Sequence, residues 1–271
     1  MPELPEVETA RRGIEPHLLG RIVTAVTARD RRLRWPVPHA LARELTGQAI
    51  RSVTRRAKYL LLNTAAGTAI LHLGMSGSLR VLAADTPPQK HDHVDLVLDS
   101  GRLLRLRDPR RFGTLLWTRG DAQRHALLKD LGPEPLEDGF DGEYLFKRSR
   151  GRKLAVKLFI MDSHVVVGVG NIYASEALFM AAVRPGKAAG RVSCAEYAAL
   201  AKAIKKVLAA SIEAGGTTLR DFMREDGEPG YFLQRLRVYD RVGKPCYRCG
   251  TPIKQTVTGQ RSTYYCSRCQ K

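Results

Sequence analysis

Four cysteines within the last 26 residues constrain this chain more than any other feature. Cys246-Tyr247-Arg248-Cys249 is followed, after 16 residues, by Cys266-Ser267-Arg268-Cys269. A C-x2-C pair can sit on a tight turn that aims both sulfurs at one point. Two such pairs at this separation offer four thiolates to a single zinc ion. Four-cysteine tetrahedral sites are closed, so a metal held by Cys246, Cys249, Cys266 and Cys269 is structural rather than catalytic. A pair of disulfides or chance spacing is the competing reading.

The cysteine cluster closes a very basic protein. Among 271 residues, 45 Lys+Arg against 27 Asp+Glu leave a net charge of +18. An excess of this size implies an anionic partner, and DNA or RNA fits best. The hydrophobic fraction of 44% is ordinary for a globular core and argues against disorder. No apolar run approaches the roughly 20 residues needed to span a bilayer. Only Cys194 lies outside the cluster, so a reducing cytoplasm is the simplest home.

Periodicity divides the rest into three parts: 1–130, 131–235 and 236–271. Residues 5–19 read as a helix. Pro5 suits its first turn, Glu6 and Glu8 complement its dipole, and Val7, Ala10, Ile14 and Leu18 share a face. Pro16 threatens the last turn. From 21 to 118, short β-rich stretches recur near 21–28, 49–55, 58–64, 68–73, 78–83, 93–99, 102–107 and 113–118, with a short helix within 36–47. Many short strands at this spacing suggest a sandwich or barrel. Leu131-Gly132-Pro133-Glu134-Pro135 reads as a linker into helical segments. Asn171 is an expected N-cap for a helix to about Ala182. Ser193 and Glu196 have capping-box spacing before a helix over 194–213. Residues 217–232 read as a loop.

Several residues could carry chemistry. If Met1 is removed, Pro2 becomes a free secondary amine. An α-amino group is neutral to the extent of about a tenth at pH 7, far more than a lysine. Its adduct with a sugar C1′ is an iminium ion, an electron sink for eliminations. Glu3 is the adjacent acid/base candidate. Lys58, opening an apolar strand, could be a general acid or a phosphate ligand. Met75, between Gly74 and Gly77, could wedge between bases, and Asp108-Pro109-Arg110-Arg111-Phe112-Gly113 places arginines beside an aromatic on a second turn. His91-Asp92-His93 lacks a third metal ligand at suitable spacing. Gly168-Val169-Gly170-Asn171 opens a helix whose N-terminus favours an anion.

Taken together these motifs resemble one family, the bacterial formamidopyrimidine-DNA glycosylases. The likeness rests on Pro2 to Glu8, Arg56 to Leu60, His72 to Gly77, His91 to His93, Asp108 to Gly113, Gly168 to Ala174, Gly215 to Leu219 and the zinc cysteines, in order and nearly end to end. It implies an α+β protein with an N-terminal β-sandwich and flanking helices, a helix-two-turn-helix domain and a C-terminal four-cysteine zinc finger. It implies a monomer of the bacterial cytosol and nucleoid that acts on oxidised purines in damaged double-stranded DNA. Pro2 would attack C1′, Glu3 would assist base release, Lys58 would donate a proton in β-elimination and Arg261 would assist δ-elimination. Met75, Arg110 and Phe112 would fill the space left by the flipped nucleotide. His91, Arg110, Arg152 and Asn171 would hold phosphates, as would Lys157 more weakly. A loop from Arg220 to Tyr231 would close over the base. Two readings compete. An endonuclease VIII-like enzyme would prefer oxidised pyrimidines. A non-enzymatic zinc-ribbon nucleic-acid-binding protein would leave Pro2, Glu3 and Lys58 without a role.

Overall fold

The computed structural model describes residues 2–215 and 236–271. The loop expected over 217–232, Arg220 to Tyr231 included, lies outside the described residues. Of the described residues, 2–130 with Gly215 form one compact unit and 131–214 with 236–271 the other.

The first unit begins with α1 (Leu4–Leu18). Pro5 sits in its first turn, and the Glu3 N–H donates to Glu6 Oε2 at 2.8 Å in a capping box. Pro16 does not cut the helix short, which runs two residues further, and Gly20 follows in the left-handed region at φ +76°. Eight strands, one short α-helix, α2 (His39–Leu45), and a 3-10 turn over Ala122–Arg124 follow. β1 (Val23–Ala28), β6 (Asp92–Leu98), β7 (Arg102–Arg107) and β5 (Ser78–Ala83) form one antiparallel sheet in that spatial order. β2 (Ser52–Arg56), β3 (Tyr59–Asn63), β4 (Thr68–His72) and β8 (Thr114–Thr118) form the other. Alternate residues of both sheets, such as Leu96, Leu104 and Leu106 from one and Leu60, Leu62 and Leu71 from the other, enter one core. Val7, Ile14 and Leu18 of α1 join it.

Two features of this topology position side chains. The chain passes from the second sheet to the first between β4 and β5, and returns between β7 and β8. β4 pairs with β8, His72 opposite Thr114, and β5 pairs with β7, Ser78 opposite Arg107. Both crossings therefore turn at the same corner. α1 also runs antiparallel to β2. Arg55 Nε meets Glu8 Oε2 at 3.2 Å, and one turn later Arg11 Nη1 meets the Val53 carbonyl at 3.1 Å. The start of α1 is thereby carried toward the turn after β2.

The second unit holds α3 (Gly142–Ser149), α4 (Val156–Met161), α5 (Asn171–Met180) and α6 (Cys194–Glu213). The Ser193–Glu196 capping box is present, and Tyr197, Leu200, Ile204, Val207 and Ile212 are buried as the helical period requires. Gly170, not Asn171, is the N-cap of α5; Asn171 is its first helical residue, and its side chain is used elsewhere. The hairpin of β9 (Lys254–Thr258) and β10 (Arg261–Tyr265) belongs to the cysteine module. Arg248 ties that module to the end of α5 by donating to the Phe179 and Met180 carbonyls at 3.1 and 3.2 Å while stacking over the Phe179 ring. No helix among the described residues is long and apolar enough to cross a membrane.

Candidate functional site

Within the first unit, the expected site residues gather at one end of the second sheet. Pro2 is buried and Glu3 is 2% exposed, immediately before α1. Lys58 is half-buried on the two-residue turn joining Arg56 to its partner Tyr59. Ala57 on that turn adopts φ +55°, a conformation disfavoured for a residue with a Cβ. Arg55 stabilises it: Nη1 donates to the Ala57 carbonyl at 2.8 Å, while Nε holds Glu8 on α1. One guanidinium thus links the helix that starts at Pro2-Glu3 to the turn that carries Lys58.

Tyr59 pairs with His72, and the two rings lie 4.8 Å apart. The His72 Nδ1 accepts the Gly74 N–H at 2.9 Å, so a proton on the neutral ring sits at Nε2. Burial, reinforced by the charges of Lys58 and Arg34, lowers the His72 pKa to about 4. Sequence reasoning gave His72 no individual role. Its placement beside Lys58 follows from strand pairing, which no local pattern reports.

Met75 lies on the β4–β5 corner and is half-buried; Arg110 and Phe112 lie on the β7–β8 corner and are exposed. The Arg110 guanidinium sits 5.0 Å from the Phe112 ring centroid. His91 takes a left-handed backbone, φ +75°, just before β6, and its carbonyl accepts the Asp108 N–H at 3.1 Å. Desolvation, with Lys90 and Arg107 nearby, lowers the His91 pKa, leaving the ring neutral at pH 7. His93 is buried against the Asp108 carbonyl at 2.8 Å, which accounts for it without a metal.

In the second unit, Arg152 is exposed on the connection from α3 to α4. Asn171 Nδ2 donates to the Ser262 carbonyl at 3.1 Å. Lys157 does not take the expected phosphate-facing position. It is 0% exposed, and its ammonium donates to the same Ser262 carbonyl at 2.9 Å and to Thr263 Oγ1 at 2.8 Å. A buried ammonium needs such acceptors to offset lost hydration. Lys157 and Asn171 therefore brace the hairpin one residue from the exposed Arg261. Glu176 was also missed. It is 3% exposed on α5, and its carboxylate accepts the N–H groups of Arg237, Val238 and Tyr239 at 2.8, 2.8 and 2.9 Å. The available signal was a single charge inside the otherwise uncharged Ile172–Met180.

The four cysteine sulfurs lie within 4.8 Å of one another. Cys246 and Cys269 are 3.9 Å apart and Cys249 and Cys266 3.5 Å. These separations bracket the edge of about 3.8 Å expected for a tetrahedron with zinc–sulfur bonds of about 2.3 Å, and exclude disulfides. Ionisation of the cluster is uneven. Hydrogen bonds from Thr251 draw Cys249 down to about 6, whereas burial, with the neighbouring thiols, pushes Cys269 up to about 12. Four thiolates this close call for a cation, and the donor set fits one structural zinc.

Residues 1–115 match the model of the formamidopyrimidine-DNA glycosylase N-terminal domain, 131–223 that of the formamidopyrimidine-DNA glycosylase H2TH domain, and 243–271 that of the zinc finger found in FPG and IleRS. A formamidopyrimidine-DNA glycosylase of Thioalkalivibrio sulfidiphilus is 63% identical over 271 residues, covering 100% of both chains. Lactococcus lactis Fpg, solved as a mutant with a Fapy-dG containing DNA and separately with an abasic site containing DNA, superposes with a TM-score of 0.92 in each case. It is 32% identical and covers at least 99% of both chains. A MutM in complex with carbocyclic 8-oxo-G containing DNA superposes at 0.90, with 32% identity and 100% of both chains covered.

Proposed function

The chain belongs to the formamidopyrimidine-DNA glycosylase family, and from that premise we infer that it is a base-excision repair enzyme removing oxidised purines from duplex DNA and cleaving the strand at the resulting abasic site. The observation that carries the residue-level reading is the antiparallel course of α1 along β2. It directs the Pro2-Glu3 end of the helix toward the Lys58 turn, with Arg55 bonded to both elements.

Removal of Met1 frees the Pro2 nitrogen. That nitrogen attacks C1′ and loses its proton, while the damaged base leaves C1′ with a proton of its own. Glu3 protonates the sugar ring oxygen, the ring opens, and an iminium forms between Pro2 and C1′. β-Elimination takes a proton from C2′ and breaks the bond from C3′ to its oxygen; Lys58 supplies the proton that the departing group needs. δ-Elimination, assisted by Arg261, takes a proton from C4′ and breaks the bond from C5′ to its oxygen; water then hydrolyses the iminium, releasing the unsaturated sugar remnant and the Pro2 amine. A one-nucleotide gap with phosphates on both ends remains. Met75, Arg110 and Phe112 occupy the vacated stack, and His91, Arg152 and Asn171 contact phosphates. The zinc held by the four cysteines takes no step in this chemistry; it shapes the hairpin that bears Arg261. The enzyme acts as a monomer, in the bacterial cytosol and nucleoid where its substrate lies.

Borohydride added during reaction with an 8-oxoguanine duplex is expected to trap the zinc-loaded chain covalently on DNA, with mass spectrometry placing the link on Pro2. No adduct from protein lacking Met1 would sink the lyase chemistry. An adduct formed only with oxidised pyrimidines would transfer the chain to the endonuclease VIII-like branch. A form retaining Met1 has an amide at Pro2 and should bind DNA without cleaving it.

A further inference from the structure

One buried carboxylate connects most of the first unit's DNA-facing residues. Asp108 opens the β7–β8 corner and is 0% exposed. Its Oδ1 accepts the Ser76 hydroxyl at 2.9 Å and the Arg110 N–H at 3.3 Å; its Oδ2 accepts the Gly113 N–H at 2.7 Å. Ser76 belongs to the other corner, beside Met75, and its oxygen also accepts the Arg110 N–H at 3.2 Å. The Asp108 main chain extends the set. Its N–H donates to the His91 carbonyl at 3.1 Å, and its carbonyl accepts the Arg111 N–H at 3.2 Å. A Cβ on Gly113 would lie 2.9 Å from Asp108 Oδ2, so the corner closes tightly on the carboxylate. Met75, Arg110, Phe112 and His91 come from three separate segments, and this one residue bonds to all three.

We propose that Asp108 is a positioning residue for base extrusion. Its carboxylate sets the spacing between the Met75 tip and the Arg110–Phe112 tip, so the three side chains enter the duplex as one preformed wedge. Its main chain holds His91 in register with them. The proposal rests on the glycosylase reading above. The wedge matters when an intact nucleotide must be unstacked, and far less at an abasic site, which has no base to extrude. Asp108 should therefore affect the two substrates unequally, which a merely structural carboxylate would not.

Asp108→Asn keeps shape and one acceptor oxygen but turns an amide donor toward either the Gly113 N–H or Ser76. Ser76→Ala removes only the bridge between the corners. In the zinc-loaded full chain, single-turnover release of 8-oxoguanine should fall by roughly tenfold to a hundredfold for Asp108→Asn, the span expected for one hydrogen bond to a charged group, and by less for Ser76→Ala. The fluorescence rise of 2-aminopurine placed beside the lesion should slow in parallel. Borohydride trapping on a duplex with a preformed abasic site should change by no more than about twofold, well below that span. Wild-type excision by Asp108→Asn overturns the proposal, as does an equal loss on both substrates. If Asp108→Asn fails to fold, Ser76→Ala decides: unchanged excision and an unchanged 2-aminopurine rise overturn it. Failure of the wild-type protein to be trapped on the abasic duplex would instead reject the glycosylase reading itself.

Discussion

Gly74→Ala tests whether the two corners touch. Gly74 has φ +65°, and a Cβ there would lie 2.6 Å from the Phe112 oxygen, 2.5 Å from the Gly113 nitrogen and closer still to the Phe112 carbonyl carbon. The left-handed backbone alone costs an alanine about 1–2 kcal/mol. The overlap adds about 1–3 kcal/mol, because the opposing atoms are backbone and cannot swing aside like a side chain. Gly101 supplies the control: φ is +74° and nothing lies within 4 Å of the point a Cβ would occupy, so Gly101→Ala carries the backbone cost alone. Both tryptophans, Trp35 and Trp117, lie in the first unit, so their fluorescence during urea unfolding reports that unit. Gly74→Ala is expected to lose about 2–5 kcal/mol and Gly101→Ala about 1–2 kcal/mol. Equal losses would refute the contact and, with it, the single wedge. The same variant should excise 8-oxoguanine more slowly even where it remains folded, since the Met75 and Phe112 tips are forced apart.

Lys157→Met leaves the Ser262 carbonyl and Thr263 hydroxyl without their ammonium, and should loosen the hairpin beside Arg261 at a cost of about 1–3 kcal/mol. Gel analysis of products should show β-elimination accumulating relative to β,δ-elimination; an unchanged ratio would reject the bracing role. The His72 pKa is depressed from 6.5 to about 4, so the unfolded chain binds the proton first and stability falls as pH drops from about 6.5 toward 4. His72→Asn should remove on the order of 2–3 kcal/mol of that fall, read as the difference between the two urea curves at pH 7 and pH 4.5; parallel curves would contradict the burial of a neutral ring. Chelating the zinc should abolish binding of damaged duplex, and unaltered affinity of metal-free protein would show that the cysteine module does not shape the DNA surface.

Much of the architecture was legible because its signals are local. The α1 start, the Ser193–Glu196 box and the buried stripe of α6 each follow from spacing within one element. The eight strands could be counted from alternation and turn residues, but their division into two sheets could not. Asn171 was expected to cap α5 because its residue type suits that position, yet Gly170 caps it and Asn171 reaches across to Ser262. For Lys157 the family resemblance implies a phosphate contact, weaker than those of Arg152 and Asn171. Its burial depends on a hairpin more than 100 residues away, which no window around position 157 contains.

By itself the sequence determined the zinc ligands, the polyanion-seeking charge and a nucleophile candidate before a capped helix. Each is written in residue type and short spacing. The tertiary structure decided what those pieces do to one another. Only the pairing of β4 with β8 and of β5 with β7 brings Met75 to the Arg110–Phe112 turn, and only the packing of α1 along β2 ties the Pro2-Glu3 helix to the Lys58 turn. The physical reason is that alternation shows which face of a strand is buried but not which strand lies beside it. Neighbours are chosen by the whole core at once.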